Sequence, residues 1–487
     1  MTVLPDVDVL ILGAGLSGIG AACHLTRSCP DKTYQILESR GASGGTWDLF
    51  RYPAVRSDSD MFTLGWSFEP WTAAKSIADG PDILTYIRET ATKYGVDRHI
   101  SYHRRGVAAS WSSEDQCWTV SVEHIDTGEA STVTCRFLSA CVGYYRYDQG
   151  YRPTFDGEEN FHGQIVHPQH WPEDLDYEGK QVVVIGSGAT AVTLVPALTK
   201  SAAHVTMLQR SPTYVVARPD HDPVADWLRG HLPAKAAYGI VRWKNIVLST
   251  LMYQFSRRRP EKMKDALRKG AVEALPEGYD VDTHFKPAYN PWDQRLCLIP
   301  NGDLFDVVAT GKAEVVTDLI DHFTESGIAL SSGRELPADV IVTATGLQME
   351  LLSSMPLTVD GKLINYAEAI AYKGMMLCGV PNLSLTFGYT NASWTLKADL
   401  TANYMCRLLK EMDRRGVTSV TPRFPDPSLP TEPFINLSSG YVTRTAAALP
   451  KQGTTKPWRL HQNYFLDLMM FRYGKLDREV EWSGKAA

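Results

Sequence analysis

One local pattern, an apolar run of β-formers that enters a glycine-rich turn and leaves it as a helix of small residues, occurs twice in this 487-residue chain and limits what it can fold into. The first copy is V-D-V-L-I-L at 7–12 running into G-A-G-L-S-G and a helix over 19–25; the second is Q-V-V-V-I at 181–185 running into G-S-G-A-T-A and a helix through Leu198. An unbroken apolar run reads as a strand buried on both faces, and parallel strands need a helical crossover, so both copies are β-turn-α units. The fold class is therefore α/β, with two Rossmann-like dinucleotide-binding domains.

In the first turn Gly13 permits the tight bend, Gly15 lets a pyrophosphate approach the backbone, and Gly18 lets the helix pack closely on the strand. Ser17 lies at the same positive helix end, where phosphates are favoured. The next strand, Y-Q-I-L, ends at Glu38, placed to accept hydrogen bonds from ribose hydroxyls. The second turn holds Gly186, Ser187, Gly188, Ala189 and Thr190, and the strand after it ends in Arg210 and Ser211 where an acid would stand. A carboxylate there would repel a 2'-phosphate, whereas a guanidinium pairs with it bidentately and a serine adds a donor. The first site is expected to take FAD and the second NADPH, so that electrons pass from NADPH to a bound flavin. The plainer readings are a glycine turn without a ligand and a solvated Arg210.

With 44% hydrophobic residues the chain can bury a core large enough for two or three domains. Its net charge of -6 gives no basic face for nucleic acid, which points to small-molecule partners. Eight scattered cysteines form no C-x-x-C pair, which argues against a zinc site and a disulfide framework, and a reducing cytoplasm fits best. No signal peptide and no apolar run long enough to span a bilayer is expected. Between about 222 and 290 the texture changes to amphipathic stretches, read as a helical insertion; strands return at 313–317 and 339–346. The expected division is 1–146 and 375–487 for the FAD domain, 147–221 and 300–374 for the NADP domain, and 222–299 for the insertion.

Three segments resemble the type I Baeyer-Villiger monooxygenases of the flavin-containing monooxygenase group. The fingerprint F-x-G-x-x-x-H-x-x-x-W-P is matched by Phe161, Gly163, His167, Trp171 and Pro172. A second pattern is matched by Gly44, Gly45, Trp47, Tyr52, Pro53 and Asp58, with Ala54 where the family has Gly or Met; a third is the strand D-V-I-V-T-A-T-G. Stretches such as H-P-Q-H-W-P-E-D-L-D-Y and G-Y-T-N-A-S-W-T-L-K-A-D-L are of the mycobacterial thioamide-activating type within that family.

The resemblance implies oxidation of linear aliphatic or arylalkyl ketones to esters or lactones, and S-oxygenation of sulfides and thioamides, through a C4a-peroxyflavin. It implies that Arg295 in P-W-D-Q-R-L-C is the catalytic arginine and that Asp58 orients it. A guanidinium suits the role because it does not deprotonate and can follow a migrating negative charge. The resemblance also places Thr46, Trp47 and Asp58 beside the flavin, Val107 at its adenine through the backbone, and Asn391 and Trp394 near nicotinamide or substrate. Packing alone is the alternative for the last two. Gln294 stands where the family often has a phosphate-holding Lys. His167 is read as positioning the linker, not as a general base.

Two other classes remain open: a monooxygenase confined to nitrogen and sulfur, against which Trp171 and Arg295 count, and a disulfide reductase, which would need a redox cysteine pair. The run Arg257, Arg258, Arg259, Lys262 and Lys264 is ordinarily a solvated face. Its alternative is contact with an anionic membrane surface by a peripheral protein.

Overall fold

The computed structural model describes residues 6–435 and 437–485. Its first sheet grows around the strand Val7–Leu12, where Val9, Leu10 and Ile11 are fully buried, as a strand covered on both faces requires. That strand pairs in parallel with Tyr34–Leu37 on one side and with the C-terminal half of Ala130–Ala140 on the other. Ile100–Ser101 extends the sheet beyond Tyr34–Leu37, and Leu383–Leu385 joins in parallel beside Leu138–Ala140. The N-terminal half of Ala130–Ala140 instead pairs antiparallel with Cys117–His124, which pairs antiparallel with Arg104–Ser112. A parallel layer and an antiparallel meander thus share one long strand.

The second unit repeats the plan. Its parallel sheet runs Ala313–Thr317, His204–Gln209, Gln181–Ile185, Val340–Thr343, Gln164–Val166, and an antiparallel meander of Ile320–Thr324, Gly327–Leu330 and Glu335–Pro337 lies alongside. The helices Leu16–Ser28 and Ala189–Leu198 follow the two glycine turns. A side chain at Gly18 would sit 1.8 Å from the Gly13 carbonyl oxygen, so only glycine lets that helix lie so close.

One boundary differs from expectation. Leu357–Val359 pairs in parallel with Arg104–Ser112, so the chain rejoins the first sheet well before 375, because the meander edge recruits it. The insertion is helical, with Pro223–Arg229, Ala234–Arg258 and Pro260–Ala274, but is shared between two cores. Ala237, Tyr238 and Val241 join the first unit's core, while Ala271, Leu275, Val281 and Phe285 join the second's. No helix of the described residues is long and apolar enough to cross a membrane.

Candidate active site

The first glycine turn opens at Gly13, whose φ of +95° suits glycine, and delivers the helix Leu16–Ser28 from Gly15 without a side-chain cap. The first backbone N–H groups of that helix are therefore left for a ligand. Glu38 braces the turn: its carboxylate accepts from the Ala14 N–H at 2.8 Å and from the Arg40 N–H at 2.9 Å. Burial pushes its pKa up, against the pull of those two N–H groups and the Arg40 charge. Glu38 faces a cavity of about 770 Å³ together with Gly13, Gly15, Arg40, Val107 and Tyr147. At Val107 the strand is bulged, with Gly106 opposite Val122 and Ala108 opposite Ser121, so the residue between is taken out of register at the cavity wall.

A second turn, Gly44–Gly45, backs onto the first: a side chain at Gly45 would come within 3.0 Å of the Gly15 Cα. Its successor Thr46 accepts a hydrogen bond from the Tyr145 hydroxyl at 2.6 Å, and Trp47 packs half-buried on the first core. The turn is anchored by a residue that no motif singled out. Asp48 is 5% exposed and pairs with Arg40, Arg51 and Arg88 at 2.8, 2.8 and 2.7 Å. Ala54, the departure from the family pattern, has φ +55°, so it keeps the left-handed turn at a steric cost of roughly 1–2 kcal/mol.

Beyond these turns lies a cavity of about 240 Å³, lined by Gly15, Ser17, Gly45, Thr46 and Trp47 on one side and by Asp58 and Arg295 on the other. The Arg295 Nε lies 3.2 Å from Asp58 Oδ2, with 39% and 31% of the two side chains still exposed. The Asp58 carboxylate raises the guanidinium above its ordinary pKa, more than burial lowers it. The arginine loop is held under strain, with Trp292 at φ +71°, and is clamped through Asp293. Asp293 accepts from Arg257 Nη1 at 2.6 Å through its carboxylate, and its backbone carbonyl accepts from the Ser438 N–H at 3.0 Å.

Aromatic and aliphatic groups close the cavity. Tyr144, whose hydroxyl burial pushes up to about 12, stacks on Trp394 at 5.1 Å, and Trp394 Nε1 donates to Ser17 Oγ at 2.8 Å. Tyr389, Ile435, Leu437 and Tyr441 complete the wall from the C-terminal part of the chain. Tyr389 belongs to the stretch that carries the resemblance, whereas Ile435, Leu437 and Tyr441 lie in a segment with no motif, only apolar and aromatic composition, which sequence reasoning passed over. Asn391 points elsewhere, donating to the Gln462 carbonyl at 2.9 Å.

The second glycine turn repeats the first in a more open setting. Gly186 has φ +135°, and a side chain there would come within 2.3 Å of the Ala344 carbonyl oxygen. Gly188 begins the helix Ala189–Leu198 with no side-chain cap, and Gly188 and Ala189 are exposed. Ser187 Oγ is 2.8 Å from Thr213 Oγ1 and donates to the Ser211 carbonyl, tying turn to strand end. Arg210 and Ser211 are exposed at that strand end, and Arg210 has no ion pair among the described residues. Thr190 meets the hydroxyl of Tyr52, which is buried in the second core and thereby pushed up to about 12.

The fingerprint residues lie where the chain passes between units. His167 Nδ1 accepts from the Gln169 N–H at 3.2 Å, and the ring lies so close to Gly150 that a side chain there would meet it at 1.9 Å. Burial lowers its pKa, and its buried Nε2 has no hydrogen-bond partner among the described residues. Gly163 leaves room for the Asp339 carbonyl and the Phe161 ring, Phe161 packs edge-on to Phe323, and Trp171 packs against Tyr177. None of these lines the 240 Å³ cavity.

Comparison with known proteins places this geometry. Residues 77–387 match the family model described as flavin-binding monooxygenase-like. The chain is 55% identical over 474 residues to the FAD-containing monooxygenase EthA of Mycobacterium tuberculosis, covering 97% of this chain and 96% of that one. It is 56% identical over 473 residues to EthA of Mycolicibacterium smegmatis, with the same coverage. Among solved structures, an oxidized steroid monooxygenase bound to NADP superposes with a TM-score of 0.74 at 21% identity, covering 98% of this chain and 99% of that one. An open structure of cyclohexanone monooxygenase gives 0.74 at 20% identity with the same coverage, so the fold is shared end to end.

Proposed function

The chain belongs to the flavin-binding monooxygenase-like family, and from that premise we propose that it is an FAD- and NADPH-dependent Baeyer-Villiger monooxygenase of ketones that also oxygenates sulfides and thioamides. The observation that carries the ketone reading is the Arg295–Asp58 pair facing the cavity that the flavin-cradling turns also line. The residues fit the two cofactors. An uncapped helix end, a buried acid bracing it and a bulged strand at the cavity wall suit an adenine dinucleotide with a ribose at Glu38. The open second turn, with a free guanidinium at the strand end, suits a 2'-phosphate. When bound, FAD reduced by NADPH supplies the activation of O2.

The chain's own groups supply position and field. Asp58 fixes the orientation of the Arg295 guanidinium, whose remaining N–H groups can donate to negative charge developing on the reacting oxygens. The Tyr144, Trp394, Phe387 and Tyr389 wall keeps water from that charge and gives an apolar substrate a surface to bury. His167 positions the connection between the units and handles no proton of the reaction. In balance, ketone, O2, NADPH and a proton give ester, NADP+ and water.

The test is incubation of the purified yellow protein with NADPH, 18O2 and a panel of 2-alkanones, phenylacetone and a thioether. Singly labelled ester and labelled sulfoxide are expected. Sulfoxide without ester would overturn the ketone reading and leave a heteroatom monooxygenase.

A further inference from the structure

The helix Ala234–Arg258 spans 25 residues, and its inner side is buried through Ala237, Tyr238, Val241, Arg242 and Ile246. A surface helix ordinarily turns polar residues outward. This one does not. Ile240, Trp243, Val247, Leu251 and Phe255 recur at three- and four-residue intervals on its outer side, joined by Leu248 and Met252, and all are exposed, Leu251 to 61%. The patch continues onto a neighbouring segment: the Tyr464 and Phe465 rings lie 6.0 and 6.1 Å from Trp243, and Leu466, Met469 and Tyr473 are exposed beyond them. Contiguous exposed apolar surface of this kind marks an interaction site.

The charges around it say what it fits. Residues 234–258 contain no Asp or Glu, and the one acid in 464–473, Asp467, is buried against Lys397. At the end of the long helix Arg258, Arg259 and Lys262 are exposed and carry no ion pair among the described residues. In a chain of net charge -6, an apolar face without exposed acids and edged by free cations complements acyl chains under anionic headgroups. A second copy would offer the same cations and, along the long helix, no acid to pair with them.

The back of this face is the active site. Ile246 packs with Tyr389 and Leu396, and Tyr389 lines the cavity. Tyr253 meets the Trp292 ring edge-on at 5.6 Å, and Arg257 pairs with Asp293 at 2.6 Å, both in the arginine loop.

We propose that this face docks the protein in the plane of an anionic bilayer, the helix Ala234–Arg258 lying in the interface, so that ketones dissolved in the lipid reach the cavity from the membrane. The delivery clause rests on the ketone-oxygenating reading; the docking clause does not, and it is measured without turnover. The FAD-loaded protein is floated with vesicles of phosphatidylglycerol and phosphatidylcholine in equal parts, or of phosphatidylcholine alone. Flotation with the anionic vesicles is expected, with partitioning lowered about tenfold or more on phosphatidylcholine alone, in L248S/L251S/F255S and in R258E/R259E/K262E. Both variants should stay yellow and keep the wild-type rate on a short, water-soluble ketone, which shows that they fold.

Failure of the wild-type protein to float, or equal flotation of both variants, overturns docking. A dimer seen in sedimentation that the apolar variant loses, without vesicle binding, assigns the face to a second copy instead. For delivery, a long-chain 2-alkanone carried in anionic vesicles should be oxidised about tenfold faster by the wild type than by the apolar variant. Equal rates with intact vesicle binding overturn delivery alone.

Discussion

Arg295 is charged, half open to the cavity and oriented by one carboxylate, so under the proposed function its loss should remove field in the cavity and leave the glycine turns undisturbed. Arg295→Ala is expected to keep its yellow colour and to go on oxidising NADPH, while labelled ester falls about a hundredfold or more, the usual cost of one electrostatic stabiliser. Full ester yield would displace the arginine from its role. Arg210 makes a second single-residue case: it has no protein partner among the described residues, so a charge-assisted pair with the 2'-phosphate is what it has to give. Arg210→Ala should raise KM for NADPH about tenfold or more, leave KM for NADH nearly unchanged, and so erode the preference between them. Unchanged selectivity would place the phosphate site elsewhere. Both arginines are candidates from the sequence because each sits in a motif of fixed spacing. Asp48 is not, since Arg51 three positions on is an ordinary local pair and the partner that makes Asp48 an anchor, Arg88, reaches it from 40 positions away.

At the scale of elements, what is local was legible and what is assembled was not. The two strand-turn-helix units declare themselves because steric demands on Gly13, Gly18 and Gly186 and burial of Val9–Ile11 fall within a few residues of each other. The division of the insertion between two cores depends on which face of each helix finds a partner. The early return at Leu357–Val359 depends on an open sheet edge about 250 positions earlier in the chain. Neither has a local signal. The Gly44–Gly45 turn yields a prediction at this scale: Asp48 is buried while its arginines keep water access, so removing it loosens the turn more than it strands charge. Asp48→Ala should cost about 1–3 kcal/mol in denaturant unfolding and raise the Kd for FAD. An unchanged Kd with lowered stability would confine Asp48 to packing.

For the whole molecule, the cost of one buried group can be followed with pH. Lys373 is 2% exposed and donates to the Tyr404 hydroxyl at 2.7 Å, with no carboxylate partner among the described residues. Burial first, then the Arg407, Lys397 and Arg478 charges, lowers its pKa from 10.5 to about 7. Between those values the unfolded chain holds a proton that the folded chain lacks, so this group makes stability rise with pH across the window, and its cost is complete below about 7. Lys373→Met should therefore have its largest Tm advantage over wild type at the acid end and lose it by the alkaline end. A difference independent of pH would mean that the lysine titrates normally.

Both dinucleotide helices start at glycines that offer no cap of their own, which ties folding to supply. A ligand that completes those helix ends binds only the folded chain, and at a hundred times its Kd it adds about 2.7 kcal/mol to stability, a sizeable share of what a domain has. In a cell, synthesis that outruns flavin would leave chains in their most easily unfolded form, open to proteolysis. The amount of enzyme that persists would then follow riboflavin metabolism as much as transcription.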